Sequence, residues 1–95
     1  MVRTWAEDEL RALPLEAFDE RYRRYRLSVP EAERAMAGSL RRYGQMSPVV
    51  ACVREERAVL VDGFKRLTAA RSLRGLETLL ARRVELDERS AKAAV

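Results

Sequence analysis

A glycine followed by two cations, within residues 62 to 71, is the feature of this sequence with the clearest chemistry. Gly63 follows an apolar run over residues 58 to 61 and precedes a helix-like pattern, so it stands at a strand-to-helix turn. Glycine lets the backbone approach a ligand closely, and the free N–H groups of a first helical turn favour an anion. Lys65 and Arg66 would add charge-assisted hydrogen bonds. The pattern predicts a phosphate site, and the alternative interpretation is a tight turn with surface cations.

Cysteine and histidine usage excludes several kinds of site. Cys52 is the only cysteine and histidine is absent, so the sequence has no internal disulfide, no Cys/His zinc site and no histidine base. It also has no run of about 20 apolar residues and no signal-peptide segment at its start. We therefore expect a cytoplasmic protein without a membrane partner.

Length and charge set further limits. The 95 residues suffice for one domain with a small core. All but two of the 19 basic residues are arginine, which suits phosphate recognition but is equally expected from a genomic codon bias. Because 15 carboxylates are interspersed, the net charge is only +4, which by itself does not indicate a nucleic-acid-binding surface.

The N-terminal quarter carries weaker patterns. Thr4 and Glu7 form a capping-box pattern that predicts a short helix ending before Pro14, followed by an extended segment over residues 15 to 18. Residues 20 to 26 are basic with interleaved tyrosines. They are either a phosphate or nucleic-acid contact strip or, as we favour, an exposed connector whose tyrosines pack against the core.

The clearest helix follows. Ser28 and Glu31 form a second capping box with Pro30 in the first turn, and Gly44 supplies the stop. Its apolar face has helical spacing and comprises Ala32, Ala35, Met36, Ser39, Leu40 and Tyr43.

The remaining elements alternate in type. Residues 49 to 53 and 58 to 61 predict a β-hairpin with Cys52 in the core, and the helix after the Gly63 turn is expected to end at Gly75. A strand is predicted within residues 78 to 86. Asp87 is expected to cap a last helix that the chain end interrupts, so we expect a piece truncated from a longer protein.

Two linked motifs resemble the N-terminal domain of ParB-type partition proteins. In that family a helix-loop-strand piece usually reads S-I-x-x-x-G-x-x-x-P-I-x-V, and residues 39 to 51 here read S-L-R-R-Y-G-Q-M-S-P-V-V-A. A second piece usually reads G-E-R-R-x-x-A-A, and residues 63 to 70 read G-F-K-R-L-T-A-A. The resemblance covers about residues 13 to 95. It implies a single α+β domain over residues 1 to 95, with the small mixed sheet and packed helices shared by ParB domains, sulfiredoxin and a group of small serine kinases.

The resemblance also implies a function. Such domains bind CTP, with Mg2+, and act as a clamp that closes by self-dimerisation. Carried over to this sequence, the phosphate-binding residues are Gly63, Lys65 and Arg66. The loop near the base and sugar comprises Gly44, Gln45, Ser47 and Pro48, whose backbone groups can read a base edge, and we expect it to face the Gly63 turn.

Several departures from the family pattern bear on activity. Phe64 replaces the motif glutamate, and a phenyl ring can neither polarise water nor ligate magnesium, so hydrolysis is not expected. The usual N-P-R stretch is missing. The E-N-x-x-R motif and the helix-turn-helix DNA reader would lie past Val95, so DNA is an expected partner only through a missing downstream domain or indirectly. Sulfiredoxin activity is disfavoured, because its catalytic cysteine would fall at Phe64.

Three functions therefore remain open at this point. The first is a CTP-like nucleotide-binding switch domain of a ParB-like DNA-associated protein. The second is a metal-dependent nuclease or phosphotransferase of the same fold, although Asp62 is the only acid beside the motif. The third is a degenerate interaction module that binds no nucleotide.

Overall fold

A computed structural model describes residues 4–25 and 29–95 of the chain. Five strands form one mixed sheet in the order β1-β5-β3-β4-β2. The strands are β1 (Leu10–Pro14), β2 (Phe18–Asp19), β3 (Val49–Arg54), β4 (Arg57–Asp62) and β5 (Thr78–Arg83). The helices are α1 (Pro30–Tyr43), α2 (Phe64–Arg71) and α3 (Glu88–Ala94), with short 3-10 turns at Leu15–Ala17 and Arg23–Tyr25. The predicted α+β class, with a small mixed sheet and packed helices, is confirmed.

The predicted hairpin is confirmed and lies at the centre of the molecule. β3 and β4 pair antiparallel, and both central residues of their turn, Glu55 and Glu56, have positive φ (53° and 64°). Such turns match the right-handed twist of paired strands. Cys52 and its partner Val59 are fully buried, so the cysteine is a core residue as predicted.

The predicted first helix is wrong. Residues 10 to 14 form β1, which pairs antiparallel with β5 along its whole length. Leu13 is fully buried whereas Leu10 is exposed, because alternate strand residues point to opposite faces. The preceding polar residues form a turn instead, in which Trp5 Nε1 donates to the carbonyl of Glu9 at 2.8 Å. The pairing with β5, which is distant in sequence, decides the structure here.

The predicted extended segment over residues 15 to 18 is only partly correct. Residues 15 to 17 make a single 3-10 turn, and only Phe18 and Asp19 are extended, as β2 pairing parallel with β4. Phe18 is 5% exposed and enters the core. The 3-10 turn therefore redirects the chain from one edge of the sheet to the other.

Helix α1 begins and ends close to the predicted positions. Pro30 is its first residue and Val29 its N-cap, without a side-chain cap hydrogen bond; the Ser28 half of the predicted capping box lies outside the described residues. At the other end the N–H of Gly44 donates to the carbonyl of Leu40 at 2.9 Å, with Gly44 at φ +73°. The glycine stop is confirmed.

Helix α2 ends earlier than predicted. It stops at Arg71 rather than Gly75, because Ser72 and Leu73 donate to the carbonyls of Ala69 and Ala70, three residues back. The Ser72 hydroxyl also donates to the carbonyl of Ala69 at 2.7 Å. A serine side chain that competes for helical carbonyls in this way favours termination.

The C-terminal elements follow the prediction. Strand β5 lies between β1 and β3, antiparallel to the first and parallel to the second. Asp87 caps α3 by accepting from the Ser90 N–H at 2.6 Å, and this hydrogen bond lowers the pKa of Asp87. Across residues 4–25 and 29–95, no helix is both long and apolar enough to cross a membrane.

Candidate functional site

Gly63 joins β4 to α2 in a conformation that only glycine fits well. Its φ is +106°, and a Cβ at this position would lie 2.5 Å from Cγ1 of Val49. The start of α2 therefore packs directly on β3. Glycine is required at this position because of the close contact with Val49 and because of the positive φ. Both features fix the direction of the first turn of α2.

A cavity of about 340 Å³ lies between α1 and α2. Its lining residues are Ala32, Ala35, Met36, Ser39, Leu40, Gly44, Met46, Lys65 and Arg66. Five of these belong to the predicted apolar face of α1, because the small side chains on that face leave space between the two helices. The cavity thus has a mostly apolar wall on one side and two cations on the other.

The two cations at the cavity are not paired with described carboxylates. Within the part of the chain that the structure describes, neither Lys65 nor Arg66 makes an ion pair or a side-chain hydrogen bond. By contrast, Arg21 and Arg57 both contact the carboxylate of Asp19, at 2.8 and 3.1 Å. Lys65 is exposed and Arg66 is half-buried, so their charges at the cavity are not neutralised by described carboxylates.

The loop after α1 contributes to the cavity through some of its residues only. Gly44 and Met46 line it, so this loop and the first turn of α2 share one cavity. The Gln45 side chain instead contacts β5, where its Oε1 accepts from the Leu80 N–H at 2.7 Å. Ser47 and Pro48 follow in the same loop and are not among the described lining residues.

Phe64 belongs to the core. It is 2% exposed, and the guanidinium of Arg23 lies 5.4 Å from its ring centroid. It is not among the cavity-lining residues, which also include no carboxylate among the described residues. Of the two roles that Phe64 could have, a core residue or a residue bordering the ligand, its burial fits the first.

The basic segment that begins at Glu20 packs on the far half of α2. The Glu20 carboxylate contacts both Arg23 and Arg71, the latter at 2.5 Å, and Arg23 Nη2 donates to the Thr68 hydroxyl at 2.9 Å. Tyr22 is 2% exposed, and burial raises its pKa. The connector interpretation holds for Tyr22, whereas Tyr25 is 44% exposed and Arg26 lies outside the described residues.

The remaining potential chemistry in the described residues is limited. Cys52 is fully buried in β3, and burial raises its pKa, so the thiol is held in its unreactive protonated form. Among residues 4–25 and 29–95, no group of three or more histidine, cysteine, aspartate or glutamate side chains is placed to hold a metal ion.

Comparison with solved structures identifies the fold. Sulfiredoxin from Arabidopsis thaliana matches with a TM-score of 0.75 and 20% identity, over 90% of this chain and 96% of its own. C-terminally truncated ParB from Caulobacter crescentus, complexed with CTP-gamma-S, matches with a TM-score of 0.76 and 22% identity over 90% of this chain. The fold is that of ParB N-domains and sulfiredoxin. A Pnob8-like ParB-N domain agrees, with a TM-score of 0.68 and 21% identity over 90% of this chain.

The ParB/sulfiredoxin fold spans only part of these ParB chains. This chain covers 49% of the Caulobacter crescentus protein and 33% of the Pnob8-like one. A further structure of the Caulobacter crescentus protein is complexed to the centromeric parS site. No family model matches the sequence, and no curated protein is detectably similar to it.

Proposed function

We propose that this chain is a nucleotide-binding switch domain of a ParB-like, DNA-associated protein, and that its ligand is CTP or a similar nucleotide. The observation that carries the proposal is the cavity between α1 and α2. Lys65, Arg66 and Gly44 line it, and neither cation forms an ion pair with a carboxylate of the described residues. The ParB neighbour complexed with CTP-gamma-S supports the same ligand class.

The cavity suits a nucleotide in both size and polarity. A volume of about 340 Å³ falls within the range of small-molecule sites. In the proposal Lys65 and Arg66 bind the phosphates, together with backbone N–H groups that follow Gly63. The base and sugar lie against the loop of Gly44, Gln45, Ser47 and Pro48 on the side where Gly44 lines the cavity, and the backbone groups of this loop offer hydrogen-bond donors and acceptors.

Magnesium enters the proposal only through the nucleotide. Because the described lining residues include no carboxylate, they offer the ion no charged protein ligand at the cavity. Mg2+ would be held by phosphate oxygens and water, a common arrangement for this ion. We accordingly propose binding with little or no hydrolysis.

The remaining partners follow from the same assignment. We propose that the domain self-associates when nucleotide is bound, that it acts in the cytoplasm, and that DNA is reached through a separate domain or indirectly. The Caulobacter crescentus neighbour in complex with parS supports a DNA-associated role for the larger protein.

Titration of the purified chain with CTP, ATP and GTP in the presence of magnesium tests the proposal. Calorimetry measures binding, and a phosphate-release assay measures turnover. Binding without turnover supports a switch domain. Turnover that scales with protein concentration supports the phosphotransferase or nuclease alternative, and absence of binding to all three nucleotides supports an interaction module.

Substitution of Arg66 locates the binding site. A hydrogen bond between charged groups contributes about 1.5–3 kcal/mol, so Arg66→Ala is expected to weaken binding roughly ten- to a hundredfold. Lys65→Ala is expected to have a smaller effect, because lysine is a flexible point charge. Arg74→Ala is the matched control, since Arg74 is an exposed arginine that does not line the cavity. Equal affinities for Arg66→Ala, Arg74→Ala and the unmodified chain would refute the site assignment.

A further inference from the structure

Gln45 makes three hydrogen bonds with one side chain. Its Oε1 accepts from the Leu80 N–H at 2.7 Å, and its Nε2 donates to the Leu80 carbonyl at 2.8 Å. The same Nε2 also donates to the Ser47 carbonyl at 3.0 Å. The Gln45 amide therefore makes one hydrogen bond within the loop after α1, to Ser47. It also links this loop to Leu80 of β5, which lies 35 residues further along the chain.

The geometry explains why an amide is suited to this position. The parallel ladder between β3 and β5 begins at the pair Val49 and Ala81, so Leu80 lies one residue outside it. The residue before Val49 is Pro48, which has no N–H to donate to a neighbouring strand. A side-chain amide carries the same donor and acceptor as a peptide unit, and here it extends the hydrogen bonding of the sheet by one position.

The two chain neighbours of Gln45 both line the cavity between α1 and α2. Gly44 precedes it and Met46 follows it. Met46 is 76% exposed, and the described side-chain hydrogen bonds of this loop are all made by Gln45. Gly44 is held at the end of α1 by its N–H bond to the Leu40 carbonyl. The attachment of Gln45 to Leu80 therefore bears mainly on the position of Met46 relative to Lys65 and Arg66.

We propose that Gln45 is a positioning residue for the ligand loop, acting through Leu80 rather than by touching the ligand with its side chain. The inference rests on the proposed function for its effect on affinity. Its structural part, that the amide holds the loop after Gly44 against β5, is independent of any ligand.

Gln45→Met tests the inference, because methionine keeps the length of the side chain and removes all three hydrogen bonds. Ser90→Met is the control, since Ser90 is an exposed, uncharged residue that does not line the cavity, so the substitution likewise leaves the net charge unchanged. Three quantities are measured on each protein by NMR and calorimetry: the exchange rate of the Leu80 amide, the resonances of Lys65 and Arg66 across the cavity, and the dissociation constant for CTP with magnesium.

In Gln45→Met we expect faster exchange of the Leu80 amide, shifted Lys65 and Arg66 resonances, and a dissociation constant roughly tenfold higher, the factor for about one lost hydrogen bond. Unshifted Lys65 and Arg66 resonances would overturn the inference, because these residues share the cavity with Gly44 and Met46 but do not flank position 45. Faster exchange and shifted resonances with unchanged affinity would reduce Gln45 to a structural residue and overturn its positioning role. If the unmodified chain binds no nucleotide, the proposed function fails, and the resonances alone decide whether Gln45 holds the loop.

Discussion

Replacing Gly63 by alanine is the sharpest test of how the start of α2 is held. Two penalties apply at this position. A residue with a Cβ at φ +106° incurs a backbone cost of about 1–2 kcal/mol. The new Cβ would also lie 2.5 Å from Cγ1 and 2.8 Å from Cβ of Val49, and overpacking of this kind costs about 1–3 kcal/mol. We expect Gly63→Ala to lower the free energy of unfolding by about 2–5 kcal/mol.

Two other glycines separate the penalties. Gly75 has φ +84° and no atom within 4 Å of the position that a Cβ would occupy, so Gly75→Ala incurs only the backbone cost. Gly38 lies inside α1, also with no atom within 4 Å, and Gly38→Ala is expected to stabilise the chain by about 0.5–1 kcal/mol. The order of stability should be Gly38→Ala, unmodified chain, Gly75→Ala, Gly63→Ala.

Urea unfolding measures these differences, provided that the slope of free energy against urea concentration stays constant. Val49→Ala should cost less stability in the Gly63→Ala chain than in the unmodified chain, because it removes the clashing Cγ1 while leaving the Cβ contact, and a double-mutant cycle gives the coupling. Equal stability of Gly63→Ala and Gly75→Ala, with no coupling to Val49, would refute the reasoning that close packing on β3 requires glycine.

Three further predictions concern residues with distinct environments. Phe64→Ala should cost about 3–5 kcal/mol of stability in urea unfolding, because the ring is 2% exposed; a loss below about 1 kcal/mol would place Phe64 outside the core. Tyr22→Phe should leave stability unchanged or raise it by up to about 1 kcal/mol, because the buried Tyr22 hydroxyl has no hydrogen-bond partner among the described residues; a clear loss in thermal melting would contradict this. The hydrogen bond from Arg21 lowers the pKa of Asp19, so Asp19 contributes stability that is full above about pH 4 and is lost as the pH falls through its lowered pKa. Asp19→Asn should therefore destabilise the chain at pH 7 and flatten the acid limb of its stability profile, and an unchanged profile would contradict the assignment.

The parts of the fold that the sequence predicts correctly are those decided by local chemistry. Helix α1 has a 3.6-residue apolar pattern, a proline in its first turn and a glycine stop, and the structure agrees at both ends. Asp87 caps α3 as predicted, because its carboxylate can accept a hydrogen bond from an N–H of the first helical turn. The prediction for the segment from Leu10 to Pro14 is wrong because its pairing with β5, nearly 70 residues away, outweighs the local capping pattern.

The candidate site likewise combines features that local sequence predicts with features that depend on contacts distant in sequence. Gly63, Lys65 and Arg66 lie within four residues of one another, so their proximity follows from one turn, and of the three Lys65 and Arg66 line the cavity. The role of Gln45 depends on the register of β5 against β3, which local patterns do not specify. Met46 carries no signal either, since an exposed methionine in a loop has the same local pattern whether or not it lines a cavity.

The shallow anchoring of α1 has a consequence for local unfolding. Leu40 is its only buried residue among 14, whereas β4 has four buried residues among six. Segments with few buried apolar contacts open at a lower free energy than the rest of a domain. Helix α1 is therefore expected to detach before the sheet unfolds, and detachment would remove one wall of the cavity. A ligand that binds only while α1 is in place would stabilise this helix by RT ln(1 + [L]/Kd), so the order of α1 is expected to rise with ligand concentration.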